Sequence, residues 1–252
     1  MTDASSNALP LTDRCALITG GARRIGAAIA RRLHAGGAAV AVHYRSSSAD
    51  AERLVADLNA IRTGSAAAFG CDLLDVEALP RLVGAAITRF GRLDVLVNNA
   101  SSFSPTPVGT ITAAQFDDLV GTNLRAPLFL SQAAAPELRR THGLILNLAD
   151  IHGLRPLKGH PVYSAAKAGL IMLTKSLARE LGPDVRVNAI APGPVLWPEG
   201  GLDAELQREI VARTALKRTG SPDDIARAAY FFAVEAPYVT GQVLPVDGGR
   251  SI

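Results

Sequence analysis

Seven short apolar runs alternate with longer stretches of helical periodicity along this chain, and few folds accept that order. The runs are CALITG (15–20), AAVAVHY (38–44), AAAFG (66–70), LDVLVNN (93–99), GLILNLA (143–149), VRVNAIA (185–191) and QVLPV (242–246). Helical patterns lie near 24–36, 49–61 and 75–90, through a long region before the fifth run, and ahead of each of the last two. Strand and helix in strict alternation predict a parallel sheet covered on both faces.

The 252 residues suit one large α/β domain, and no linker, internal repeat or low-complexity segment divides them. Residues 1–12 read as a frayed tail ahead of a domain spanning 13–252. GPVLWPEGGLD (193–203) is rich in Gly and Pro beyond a strand end, and reads as a mobile loop within a substrate segment near 193–214. With 48% hydrophobic and only 5% aromatic residues, the core must be built from Ala, Val, Leu and Ile. A net charge of +3 with no basic run argues against nucleic acid, and a few arginines placed for a phosphorylated small molecule would account for the surplus. Cys15 and Cys71 form no CxxC or Cys/His cluster, so neither a metal site nor a disulfide framework is expected. The N-terminus has no apolar leader core, and nowhere do 18 uncharged apolar residues run together. A cytoplasmic protein with no membrane partner is expected.

TGGARRIG (19–26) follows the first strand directly. A glycine turn between strand and helix lets backbone N–H groups approach a pyrophosphate, which the helix dipole also favours, although tight βα turns need glycine for structural reasons too. Its place in the first βα unit makes nucleotide binding the better reading. At the end of the second strand stands HYRSSS (43–48), with Arg45 and hydroxyls and no acid before Asp50. A carboxylate there would hold the ribose 2′-hydroxyl of NAD, whereas a guanidinium with serines suits a 2′-phosphate, and Arg23 can approach from the glycine turn. NADPH is the expected cofactor.

These residues, taken with NLADIHGLRPLKGHPVYSAAK (147–167), resemble the short-chain dehydrogenase/reductase family over nearly the whole chain. The matching motifs are TGGARRIG, NNA (98–100), Asn123, YSAAK (163–167) and NAIAPGPV (188–195). The resemblance implies a doubly wound, seven-stranded Rossmann sheet with helices on both faces, and a homotetramer built on helices near 112–135 and 160–181. It places cofactor contacts at Gly20, Arg23, Arg24, Ile25 and Gly26, and at His43, Tyr44, Arg45 and Ser46. Further contacts fall at Asp72, Leu73, Asn99, Ala100 and Ser101, at Tyr163 and Lys167, and at Pro192, Gly193 and Val195. Tyr163 and Lys167, at i and i+4, share a helix face. In the family the lysine lowers the tyrosine pKa and binds the nicotinamide ribose, while Asn123 would hold the water or backbone arrangement behind Lys167.

Two residues depart from the family's usual pattern. Arg24 stands where a glycine is usual and Asp150 where a serine is, with no serine between Ser131 and Ser164 to stand in. An ionised carboxylate would repel the oxyanion that develops on a ketone, whereas a protonated carboxyl, or one accepting N–H bonds, suits a heterocycle. Asp150 capping the next loop in a degraded site is the plainer alternative. Together the departures resemble the family's pteridine reductase branch, which carries Arg in the glycine turn and Asp, Tyr and Lys in the catalytic positions. NNASSFSPTPVG (98–109) strengthens the match. A flat pterin ring is then expected against Phe103, with Ser101, Arg24, Asp150 and Tyr163 at its edge and Trp197 of LWPEG (196–200) closing over it. Phe103 could instead anchor its loop in the core. The expected activity is NADPH-dependent reduction of a dihydropterin C=N bond, with folates as further substrates and antifolates such as methotrexate as inhibitors. The alternatives are a general NADPH-dependent reductase of 3-oxoacyl or sugar ketones, and a non-catalytic NADPH-binding sensor.

Overall fold

The computed structural model describes residues 8–197 and 201–252. The expectation for residues 1–7, and the PEG portion of the substrate loop at 198–200, lie outside the described residues.

All seven expected strands are present. In chain order they are β1 (Cys15–Ile18), β2 (Ala39–Tyr44), β3 (Ala66–Gly70), β4 (Val95–Asn98), β5 (Leu144–Leu148), β6 (Arg186–Pro192) and β7 (Val243–Val246). They form one parallel sheet in the order β3-β2-β1-β4-β5-β6-β7. Helices α1 (Arg24–Ala35), α2 (Ser48–Ile61) and α8 (Pro222–Val234) cover one face. Helices α3 (Leu79–Phe90), α5 (Ala126–Thr141) and part of α6 (Pro161–Leu181) cover the other. Strand β1 shows why both faces are sealed: Ala16 and Ile18 join the first core, Cys15 and Leu17 the second, and all four are buried. Alternate side chains of a strand point to opposite faces, so a sheet packed on both sides reads as an unbroken apolar run. The helix boundaries are set locally. Helix α8 starts at a reciprocal Ser221–Asp224 capping box with Pro222 in its first turn, and α3 stops at Gly91 in the left-handed conformation.

Three segments differ from the sequence expectation. Residues ahead of 13 belong to the domain, because Leu11 is buried in the same core as Leu33 and its N–H donates to Gly36 O at 2.8 Å. The long helical region is split into α4 (Ala113–Val120) and α5 by a π-helical turn, Gly121–Arg125, which carries Asn123. Within the substrate segment, Ala204–Ala212 forms helix α7, capped by the Asp203 carboxylate, although none of its residues is buried. The Gly- and Pro-rich stretch just before it is what makes the segment read as loop.

Strand order reverses between β1 and β4, whose connections run to opposite sides of the sheet. In doubly wound sheets the crevice beyond the carboxyl ends of such a pair is where ligands bind. The glycine turn after β1 and the NNA segment after β4 open onto it.

Candidate active site

The glycine turn is braced from beneath by side chains of the neighbouring strands. Asn99 donates from its amide to Thr19 O (2.8 Å) and Gly20 O (3.0 Å), and the Thr19 hydroxyl accepts from the Asn99 and Ala100 amides. The Gly20 N–H donates to His43 Nδ1 at 3.1 Å, so the His43 proton sits on Nε2, which reaches Cys71 O at 3.0 Å. Burial pushes the His43 pKa down and keeps the ring neutral. His43 thus holds the turn against the end of β3, with its ring turned away from the crevice. A Cβ on Gly26 would lie 2.3 Å from Gly20 O, and Gly20 itself has φ +58°, so both positions demand glycine.

The first turn of α1 offers what an anionic cofactor needs. No side chain caps its N-terminus and no acid occupies its first turn, so its orphan N–H groups face the crevice with Arg23 and Arg24 beside them. Arg45 and Ser46 are exposed at the end of β2. Asp50, the first acid beyond them, is taken by Arg53 and by Arg23 (Nε to Oδ2, 3.7 Å). Tyr44 lies over Gly70; Asp72 is exposed, its carboxylate on Leu74 N, while Leu73 is buried. Val195 is buried near the far rim, with Pro192 and Gly193 at the end of β6.

The side chains expected to be catalytic gather at the ends of β4, β5 and α6. Tyr163 and Lys167 stand one turn apart on α6, 5% and 2% exposed. Tyr163 Oη donates to Asp150 Oδ2 at 2.8 Å, and Asp150 Oδ1 accepts from His152 N at 2.8 Å. Asp150 therefore caps its own 3-10 turn, Ile151–Gly153, with one oxygen and serves the site with the other. Burial, then the Asp150 charge and hydrogen bond, push the Tyr163 pKa well above the usual phenol value, against a smaller opposite pull from Ser101. Lys167 Nζ donates to Leu148 O at 2.8 Å, and burial pulls its pKa down to about 8 against the attraction of Asp150.

Asn123 occupies the π-helical turn, a device that commonly re-aims a side chain at a functional site. Its amide donates to Ser102 O and Leu119 O, both at 2.9 Å, while its Oδ1 accepts from Ser101 Oγ at 2.6 Å. Its bonds thus hold the start of the 101–110 loop, and none of them reaches Lys167.

Phe103 rises from that loop, 49% exposed, and is no core anchor. Its ring meets Tyr163 edge to face, centroids 4.9 Å apart, and stacks flat on His160 at 4.6 Å and 13°. Sequence reading passed over His160, which stands at the N-cap of α6, outside the helix proper, where no helical spacing ties it to Tyr163. Trp197 enters through its main chain, accepting a bond from Arg24 Nη2 at 2.9 Å. The residue lines a hollow against α7 with Gln207, Arg208 and Val211, and no ring contact links it to Phe103 among the described residues.

A family model described as enoyl-(acyl carrier protein) reductase matches residues 20–251. The chain belongs to the short-chain dehydrogenase/reductase family. It is therefore a nicotinamide-dependent oxidoreductase. The chain is 37% identical over 240 residues to the 3-oxoacyl-acyl-carrier-protein reductase of Staphylococcus aureus, an alignment covering 94% of this chain and 97% of that one. It is 36% identical to pteridine reductase 1 of Leishmania tarentolae, covering 94% and 96%. A blue fluorescent protein from a metagenomic library, crystallised in complex with NADPH, superposes with a TM-score of 0.91 at 37% identity, covering 96% of this chain and 100% of that one. Among the described residues no helix is long and apolar enough to cross a membrane, and no cluster of His, Cys, Asp and Glu is fit for a metal ion.

For a short-chain reductase, Arg24 is held at a cost. Its φ is +53°, in the left-handed region that glycine occupies freely. Both Arg24→Gly and Arg24→Ala lose the Trp197 bond, but alanine keeps the strain, so the glycine variant is expected to be the more stable by about 1 kcal/mol. Urea unfolding midpoints check this, and an alanine variant as stable as the glycine variant would remove strain from the account.

Proposed function

We propose that this reductase uses NADPH to reduce the C=N bond of a dihydropterin. One observation carries the reading: a carboxylate, Asp150, is hydrogen-bonded at 2.8 Å to the catalytic phenol where the family usually has a serine, under a half-exposed aromatic ring. A ketone needs neutral donors for its developing oxyanion, whereas an imine nitrogen needs a proton.

When bound, the nicotinamide supplies the hydride that adds to the carbon of the C=N bond. The protein supplies the proton to nitrogen. With its pKa raised by burial and by Asp150, Tyr163 keeps its proton at neutral pH and works as an acid, not as a base. Giving that proton up beside an ionised Asp150 would place two negative charges 2.8 Å apart. A proton relayed through Asp150 to Tyr163 Oη, as the phenol donates to the ring nitrogen, avoids that pairing. The Lys167 ammonium offsets the transient charge. Phe103 presents a face to the flat substrate, and Ser101 and Arg24 stand at its edge.

NADPH is supported by the arginine and serine hydroxyls at the end of β2, where the nearest acid is already paired. Arg45→Glu is expected to weaken NADPH binding by about tenfold to a hundredfold, the worth of a charged hydrogen bond, and to leave NADH almost unchanged. Equal losses in a titration of the two cofactors would move the 2′-phosphate site elsewhere.

A second reading, reduction of 3-oxoacyl thioesters, is favoured by the Staphylococcus relative at comparable identity. The deciding assay follows NADPH absorbance with dihydrobiopterin, dihydrofolate and a simple β-ketoester, with and without methotrexate. Methotrexate-sensitive turnover of a pterin supports the first reading, and turnover of the ketoester alone sinks it. For the assembled enzyme we propose a homotetramer, for which the solution mass is the measurement.

A further inference from the structure

We propose that His160 is the positioning residue for Phe103 and thereby sets how tightly a flat substrate is held. The inference rests on the reading of Phe103 as the substrate wall. Phe103 sits in a stretch without regular structure between β4 and α4. The loop's buried foot is Thr106, fully enclosed, whose N–H donates to Gly159 O at 2.7 Å. That bond ties the loop to the residue preceding His160 but leaves the Phe103 side chain free to turn. Half-exposed, Phe103 has little burial to choose its rotamer. Among the described residues its ring meets two others, Tyr163 at right angles and His160 in a flat stack.

The stack with His160 is the more constraining of the two, because an edge contact tolerates rotation of the ring whereas a parallel stack at 4.6 Å does not. His160 is itself placed twice over. It occupies the N-cap position of α6, and its Nδ1 lies 3.1 Å from Lys158 O. Because His160 stands at the N-cap of the helix whose first turn carries Tyr163, the spacing between proton donor and aromatic wall is set at the start of α6. One face of Phe103 is covered by the imidazole, so a flat heterocycle is received by the other. A ring that stays in place costs less order to bind against, and the gain appears in substrate affinity, with the chemical step largely untouched.

The test is a mutant cycle read by steady-state kinetics with NADPH and dihydrobiopterin, beside a β-ketoester too small to stack. His160→Ala should raise KM for the pterin roughly three- to tenfold, the scale of one aromatic pair, with kcat nearly constant and little change for the ketoester. His160→Phe, which keeps a flat ring, should restore the wild-type KM. In Phe103→Ala the second change, His160→Ala, should add no further loss. Additive losses, or a His160→Phe variant as poor as His160→Ala, would overturn the proposal. The stack is also read without turnover, as the ring-current displacement of the His160 ring protons in the wild type, removed by Phe103→Ala; protons that do not move between the two proteins overturn it as well. Absence of pterin turnover in the wild type would sink the pteridine reading, and the ring-proton measurement would then decide alone whether His160 positions Phe103.

Discussion

Tyr163→Phe is expected to lower kcat by about 10²- to 10⁴-fold, the usual worth of a positioned proton donor, while NADPH affinity changes little. The substitution deletes one oxygen. The phenylalanine ring still fills the buried site and still meets Phe103 edge to face, so packing is retained. The Asp150 carboxylate keeps its bond from His152 N and is only partly buried, so it is not left as an unpaired interior charge. Stopped-flow turnover beside a fluorescence titration of NADPH separates the two effects. An unchanged kcat would remove Tyr163 from the chemistry. The wild-type rate carries a pH signature of the same group. Lys167, pulled down to about 8 by burial, is charged below that value and loses its proton as pH rises through it. The ammonium that offsets charge on Tyr163 is thus withdrawn on the alkaline side, and kcat should fall above about pH 8.

Asp150→Ser has the second largest expected effect, and its direction depends on substrate. Without the carboxylate the phenol loses the charge and hydrogen bond that, after burial, raise its pKa, and it also loses the group that would pass it a proton. Pterin reduction should fall by about 10²-fold, toward the low end for loss of an acid–base partner. Reduction of a small β-ketoester should rise, because a neutral hydroxyl can donate to the oxyanion that a carboxylate repels. Competition between the two substrates on wild type and variant measures the switch directly. Pterin rates equal to the wild type would leave Asp150 only its structural part, the cap on the Ile151–Gly153 turn.

Much of the fold was legible because the signals are local. A strand buried on both faces must be apolar along its length, and β1, β4 and β5, each wholly buried, stand out against polar helix surfaces for that reason. The glycine turn was legible for the same kind of reason, since a Cβ on Gly26 meets the backbone of Gly20 only six positions away. Leu11 reads as tail because two leucines flanking Pro10 are too short a run to carry periodicity. It is buried where its N–H meets Gly36 O across 25 positions of chain, a contact no local pattern announces. The π-helical turn at Asn123 was also illegible: one added residue in a helix shifts hydrogen bonds without changing composition.

The sequence by itself determined the parallel sheet, the pyrophosphate turn, the Tyr163–Lys167 pair and the exchange of a serine for Asp150, each set by residue type and short spacing. Only the tertiary structure decided that Asp150 shares its oxygens between a cap and a phenol, that Phe103 stands in solvent against His160, and that His43 looks inward. It also brought Arg24 to the Trp197 carbonyl across 173 positions. These are meetings between distant segments, fixed by how helices settle on a twisted sheet and by one residue held in a left-handed conformation, and no short-range pattern encodes them.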